Sequence, residues 1–285
     1  MAERSALEAA AEAGLINAAQ VGPLHDFLAA HAAGVKPAPG GEEDLRFIRN
    51  FHDVFLAIGI GLFAVGLAIA IGTWAAGSES PQAGVVFAGV LSVGAAAIMW
   101  LLGEVFARRR RLFLPAIAIV VAFTVFCVFA AASLYFGALI GRQIDFNTDV
   151  GGFVPPQVRT GLLVAAAFLF IAPAAYYLRF RLPFSIGMAG GGVALVAIAA
   201  GFSLAYEQTL QLLPALYLGL GLLLFFAGVA FDARDPSRSS RFSDNGFWLH
   251  FFAAPLVLNG AFGLISLLFS GQAIGAGGNL ILDGA

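Results

Sequence analysis

Seven long apolar runs fill the sequence from residue 51 onward. A helix needs about 20 apolar residues to cross the hydrocarbon core of a bilayer, and the runs have that length. Short polar breaks separate the runs. The seven apolar runs are Val54–Ala76, Gly84–Gly103, Leu112–Phe136, Thr160–Leu178, Leu182–Ala205, Leu212–Phe231 and Gly246–Ser270. The sequence therefore predicts an all-α protein, a polytopic transmembrane helical bundle of about seven spans, preceded by a short soluble helical hairpin.

The composition agrees with the bilayer as the solvent of this chain. Hydrophobic residues make up 60% of the sequence and charged residues only 11%, a balance that a water-soluble domain could not cover with polar surface. The net charge of −2, with the arginines in short loops, argues against a nucleic-acid partner. The single cysteine, Cys127, rules out an intramolecular disulfide and a cysteine-ligated zinc ion.

The distribution of basic residues predicts how the spans are oriented. Lys and Arg near span ends are retained on the cytoplasmic side of a membrane. With a cytoplasmic N-terminus, all of the 15 basic residues except Arg142 and Arg159 lie on the inner side. Residues 1–30 lack the basic start and apolar run of a signal peptide, so the first span is expected to target the chain. Seven spans then place the C-terminus outside.

The first 34 residues predict a cytoplasmic pair of short helices. They are expected at Ser5–Ala13 and Ala18–Ala33, with Asn17 and Gln20 spaced as an N-terminal capping box. The apolar seam between them is too small for independent stability, so we expect the pair to dock on a protein partner or on a second copy. The seam consists of Leu7, Leu15, Ile16, Val21, Leu24, Phe27 and Leu28. The predicted domains are 1–34 for the hairpin, 35–50 for a linker, 51–270 for the bundle and 271–285 for a short external tail.

Ionisable residues are absent from the middle of every predicted span. Such residues are costly in a bilayer and are retained there for function. Their absence argues against an ion-coupled pump with a carboxylate relay and against a voltage sensor. The only lysine, Lys36, precedes the first span and excludes an intramembrane retinal Schiff base. Signatures such as G-x-S-x-G and H-E-x-x-H are also missing, so the sequence assigns no catalytic residue, metal site or cofactor.

Polar residues gather at the predicted inner ends of the first and seventh spans. This candidate cluster consists of His52, Asp53, Arg241, Asp244, Trp248 and His250. If the two spans are neighbours, these imidazoles, carboxylates and the guanidinium share one inner pocket, which suits a proton-responsive or ligand-binding site. The favoured alternative is interfacial: Asp244 or Asn245 caps the last helix, the histidines lie at headgroup level and the arginine anchors the span.

Three further features have alternative interpretations. Asn259 lies deep in the seventh span, where an interhelical hydrogen bond is favoured over a substrate contact. Asp145, Asn147 and Asp149 alternate as in a calcium loop, but the expected glycine and glutamate are missing, so an ordinary solvated loop is favoured. Gly190–Gly192 indicates either a helix break beside a cavity or, more simply, close helix packing.

Two segments resemble a family of bacterial predicted membrane proteins of unknown function. Ala13-Gly14-Leu15-Ile16, followed by Asn17 and Gln20, resembles the soluble helix pair that opens its members, and residues 243–255 are similar to a segment of such proteins. Pro23 departs from the uninterrupted second helix of that family. The resemblance implies a bacterial inner-membrane location and supplies no activity. Relatives often continue with further spans, so the chain would be a shortened member.

Together these observations favour a non-enzymatic membrane protein whose helix pair serves in docking or assembly. The alternative is a transporter or channel for a small neutral or amphipathic solute, which would move through a bundle without buried charge. An intramembrane enzyme ranks last, because only hydroxyl-bearing residues and two histidines are present to supply a nucleophile and a base.

Overall fold

A computed structural model describes residues 2–34, 41–140, 155–234 and 241–277, with side chains for 4–29, 51–140, 155–234 and 243–269. These residues form nine α-helices, one 3₁₀ turn and one π-helical turn, and no strand occurs among them. They group into two compact units, Met1–His52 and Asp53–Ala285, and the division falls inside the third helix. The predicted all-α fold class is confirmed.

The first unit contains two short helices. Helix α1 covers Ala2–Glu12 and is followed by Gly14, whose φ of +72° is the left-handed conformation that glycine adopts without strain after a helix. Helix α2 covers Val21–Gly34. Pro23 lies in the first turn of α2, where its missing N–H interrupts no helical hydrogen bond.

The capping box predicted ahead of the second helix is present. Asn17 precedes a 3₁₀ turn at Ala18–Gln20, and its side chain accepts a hydrogen bond from the Ala19 N–H at 3.2 Å. The Asn17 N–H in turn donates to the side-chain oxygen of Gln20 at 2.9 Å. These two bonds satisfy backbone donors that would otherwise lack partners at the start of a helix.

Seven helices of the described chain are long and apolar enough to cross a membrane. They are α3 (Gly41–Ala76), α4 (Pro81–Gly103), α5 (Phe113–Ile140), α6 (Pro156–Phe180), α7 (Pro183–Leu204), α8 (Tyr206–Asp232) and α9 (Arg241–Gly277). Each predicted span coincides with one of these helices to within a residue or lies inside it. Apolar side chains remain exposed along all of them, as expected where the neighbouring phase is lipid.

The largest differences from the predicted boundaries are at the start of α3 and the end of α9. Helix α3 begins at Gly41, so residues 41–50 of the predicted linker are helical and run on into the first span. Helix α9 likewise extends to Gly277, past the predicted end of the last span. The remaining parts of the predicted linker and tail, 35–40 and 278–285, lie outside the described residues.

Helix α7 makes its main contacts with α6, α8 and α9. Three consecutive glycines explain how it reaches all three neighbours. A β-carbon at Gly190 would overlap Leu224 of α8, one at Gly191 would lie 3.3 Å from Phe252 of α9, and one at Gly192 would overlap the carbonyl of Leu169 in α6. Successive residues point about 100° apart around a helix, so three small residues in a row open three directions.

These contacts settle the two interpretations of the glycine triplet. Helix α7 is continuous from Pro183 to Leu204, so no helix break occurs at Gly190–Gly192. The predicted close helix packing is confirmed. Helices α8 and α9 approach in the same way, because a β-carbon at Gly260 of α9 would overlap the backbone of Leu218 in α8.

Candidate functional site

The residues of the predicted cluster occupy different environments. His52 is exposed and Asp53 half-buried, and both lie at the division between the two units. Their convergence on the residues of α9 therefore stays a prediction. Arg241 starts α9, but its side chain lies outside the described part of the chain.

The polar residues at the start of α9 do not cap it. The helix begins at Arg241, so Asp244 lies in its first turn and Asn245 one residue further on. The predicted capping role is wrong for both, because the helix starts earlier than the apolar run. Asp244 is exposed, whereas Asn245 is fully buried and donates a hydrogen bond to the Tyr177 hydroxyl of α6 at 2.8 Å.

Trp248 packs between helices through aromatic contacts. Its ring lies 4.8 Å from that of Phe184 in α7 and 6.4 Å from that of Phe113 in α5, measured between centroids. Aromatic rings at such distances and tilts contribute beyond the area that they bury. Trp248 therefore joins the starts of three helices at one end of the bundle.

His250 has a carboxylate partner that the predicted cluster does not include. Its Nε2 lies 3.0 Å from Oδ2 of Asp232, the last residue of α8. Both side chains are about one-third exposed or less, at 27% for the imidazole and 36% for the carboxylate. The ring also packs against Phe225, 4.7 Å between centroids. An imidazole–carboxylate pair therefore joins α8 to α9 at the end where α8 finishes.

Two glycines make room for this pair. Gly228 lies four residues before Asp232 on α8, and a β-carbon there would be 2.7 Å from Cε1 of His250. Gly246 lies four residues before His250 on α9, and a β-carbon there would overlap the carboxylate of Asp232. Residues four apart share a helix face, so each helix presents a glycine and a polar group to its neighbour. The fit is reciprocal, with each glycine facing the polar group of the other helix.

The geometry limits what the pair can do chemically. The carboxylate fixes the orientation of the imidazole, as such partners do in general. The second ring nitrogen, Nδ1, is buried without a hydrogen-bond partner among the described residues. The ring packs against Phe225 and Gly228, so the contact suits bonding between the two helices.

Asn259 bonds within its own helix. Its side-chain amide donates to the carbonyl of Pro255, four residues earlier, at 2.7 Å, and the side chain is exposed. The predicted interhelical hydrogen bond is therefore replaced by an intrahelical one. The reason is geometric, since Asn259 is exposed and the carbonyl of Pro255 lies one turn earlier on the same helix face.

Asp232, the partner of His250, is not among the site residues predicted from the sequence. The predicted sixth span ends at Phe231, which left Asp232 as the first residue of a loop. The sequence signal that could have indicated the pair is the spacing Gly228-x-x-x-Asp232, matched by Gly246-x-x-x-His250 in the next helix.

The residues that the structure describes do not support the other candidate ion-binding sites. The loop with Asp145, Asn147 and Asp149 lies outside the described residues, so a solvated loop stays a prediction there. Within the described part of the chain, no group of three or more His, Cys, Asp and Glu residues is placed to hold a metal ion.

Comparison with known proteins adds no relative. No protein-family model matches the chain, and no curated protein or solved structure is significantly similar to it. The family resemblance of residues 13–20 and 243–255 therefore stays a prediction. The fold and the helix-end contacts define an α-helical membrane protein with seven candidate spans.

Proposed function

We propose that this chain is a non-enzymatic protein of the bacterial inner membrane, with its N-terminus in the cytoplasm and its C-terminus outside, and that its first helix pair mediates assembly with a second copy. The observation that carries the proposal is incomplete burial in that pair. None of the side chains of residues 4–29 is buried. Leu15 is 79% exposed and Leu28 is 39% exposed, and Val21 and Leu24 are only half-buried.

A second copy is the occupant best suited to this apolar seam. Two chains inserted in the same membrane with the same orientation hold their helix pairs on the same side and at the same height, which raises their effective concentration. Identical surfaces related by a two-fold axis bury the same residues on both chains. Burial of Leu15 and Leu28 against their counterparts would remove apolar surface from water.

The proposed orientation is supported by charge. The connections that follow α4, α6 and α8 carry most of the arginines that lie between spans. These connections share one side of the membrane with the N-terminus if all seven helices cross it. A cytoplasmic position for that side agrees with the retention of basic residues.

Transport of a small solute is the weaker alternative. A path for a solute requires separation between helices, whereas glycine contacts bring the backbones of α6 and α7 together and those of α8 and α9 together. Flux of a neutral solute into proteoliposomes of the purified protein would favour transport over assembly.

Loss of the seam is expected to abolish self-association. In nanodiscs or mild detergent, the full chain should be a dimer, and the variant Leu15→Asp/Leu28→Asp should dissociate with a dissociation constant raised at least about tenfold, because two buried charges replace two apolar side chains. Light scattering coupled to size-exclusion chromatography measures the mass. The matched control is Ala9→Asp/Ala29→Asp, which adds the same charge at exposed positions of α1 and α2 and should leave the dimer intact.

Two results would contradict the assembly proposal. A monomeric full chain would show that the seam does not bind a second copy. A dimer that survives deletion of residues 1–34 would place the contact in the spans.

A further inference from the structure

A cavity of about 280 Å³ lies where α4 connects to α5 and α6 connects to α7. Because α4 and α6 end on the same side of the bundle, the two connections meet there. Three arginines and several apolar side chains line the cavity. They include Arg108, Arg111, Arg181, Leu112, Phe113 and Phe180.

Positive charge exceeds negative charge around this cavity. Arg108 pairs with Glu104 at 3.2 Å, but the same carboxylate also pairs with Arg179 at 2.7 Å. Arg111 and Arg181 have no carboxylate partner in the described part of the chain. The guanidinium of Arg181 lies 5.8 Å from the ring centroid of Tyr177. Two full positive charges thus remain for an anionic ligand.

The backbone at these two arginines has an unusual conformation. Arg111 has a φ of 54° and Arg181 a φ of 56°, and among the described residues they are the two non-glycine residues with positive φ. A side chain with a β-carbon adopts this left-handed conformation reluctantly, and glycine or asparagine is preferred. A residue held in such a conformation at a cavity wall points to a use for its side chain.

Two helices also begin at the cavity. Helix α5 starts at Phe113 and α7 at Pro183, and both residues belong to its wall. Each follows its left-handed arginine by two positions, so the same local sequence, Arg-Leu and then a helix, occurs twice. The N-terminus of a helix carries a partial positive charge and favours anions. The two helix starts add to the field of the arginines.

We propose that this cavity binds the phosphate of an anionic phospholipid headgroup. Guanidinium groups match phosphate oxygens in geometry and charge, and basic pockets between transmembrane helices suit lipid headgroups. The apolar part of the wall, with Leu112, Phe113 and Phe180, suits the glycerol and acyl region that continues from a lipid phosphate. A free phosphate ion would need only the arginines. The proposal does not depend on self-association through residues 4–29.

The test compares two arginine-to-glycine variants of the full chain in neutral detergent. Binding of phosphatidylglycerol is measured by native mass spectrometry, with phosphatidylcholine as the zwitterionic reference. Glycine is the replacement of choice at Arg181 because it removes the guanidinium and accepts the positive φ, so the variant is expected to fold at least as well. The dissociation constant for phosphatidylglycerol should rise about fivefold in Arg181→Gly and about 25-fold in Arg111→Gly/Arg181→Gly.

Arg234→Gly is the matched control. Arg234 follows α8 on the same side of the bundle, and its guanidinium also lies 5.8 Å from an aromatic centroid, that of Phe231, but it does not line the cavity. Its removal should change the affinity for phosphatidylglycerol less than about twofold.

Three outcomes would overturn the proposal. An equal loss of phosphatidylglycerol affinity in Arg181→Gly and Arg234→Gly would show that only the overall positive charge on this side of the bundle matters. Unchanged affinity in the double variant would exclude the cavity as the site. Inorganic phosphate that displaces the lipid at millimolar concentration, and that binds in its absence, would show free phosphate to be the ligand.

Discussion

Replacing Gly192 by alanine is expected to lower the free energy of unfolding by about 1–3 kcal/mol, although alanine favours helices over glycine by about 0.5–1 kcal/mol. The added β-carbon would overlap the carbonyl of Leu169 and lie 2.7 Å from the backbone nitrogen of Phe170. A backbone cannot rotate away as a side chain end can, so α6 and α7 must separate. Equilibrium unfolding in mixed micelles measures the change.

Gly219→Ala is the control for this substitution. Gly219 also lies within a candidate span, in α8, and a β-carbon there would have no atom within 4 Å. The control should be neutral or stabilised by up to about 1 kcal/mol, because only helix propensity changes. Equal stabilities of Gly192→Ala and Gly219→Ala would contradict the close contact of α6 with α7.

Replacing Gly228 by leucine is expected to cost about 3 kcal/mol, because the new side chain and the imidazole of His250 cannot occupy the same space. A β-carbon at Gly228 already lies 2.7–3.0 Å from three ring atoms of His250. The displaced ring loses its bond to Asp232. The steric clash and the broken polar contact therefore both lower the free energy of unfolding. Gly219→Leu, nine residues earlier on the same helix, should be nearly neutral.

A compensating substitution separates the two causes. His250→Ala removes the ring and leaves space for a leucine at position 228. The double variant Gly228→Leu/His250→Ala should therefore be more stable than the sum of the two single effects by at least about 1 kcal/mol. Strict additivity would show that His250 does not pack on Gly228.

The spans could be predicted from the sequence because hydropathy is a local property. About 20 apolar residues in a row have one stable solution in a bilayer, a helix with its backbone groups bonded internally. The start of α3 could not be predicted in this way. Residues 35–50 contain prolines and glycines that indicate a linker, whereas the helix begins within that segment, at Gly41.

The polar contacts could be predicted only in part, because they depend on which helices are neighbours. His250 was identified from its place in a span, but its partner Asp232 comes from the end of the preceding helix. Asn245 looked like a helix cap because the apolar run starts beside it, while its position inside the bundle depends on Tyr177 of α6. The left-handed conformation of Arg181 could not be predicted from the sequence, because glycine is the residue that usually indicates a left-handed position after a helix.

The side of the membrane on which each connection lies is the most direct test of the seven-span account. Replacement of Cys127 gives a cysteine-free background in one step, since it is the only cysteine. Single cysteines at Ser78, Arg110, Ala205 and Arg234 then report four connections when whole cells are treated with a membrane-impermeant maleimide. Labelling is expected at positions 78 and 205 from outside, and at positions 110 and 234 only after the membrane is opened. Labelling of positions 78 and 110 from the same side would contradict the seven-span account.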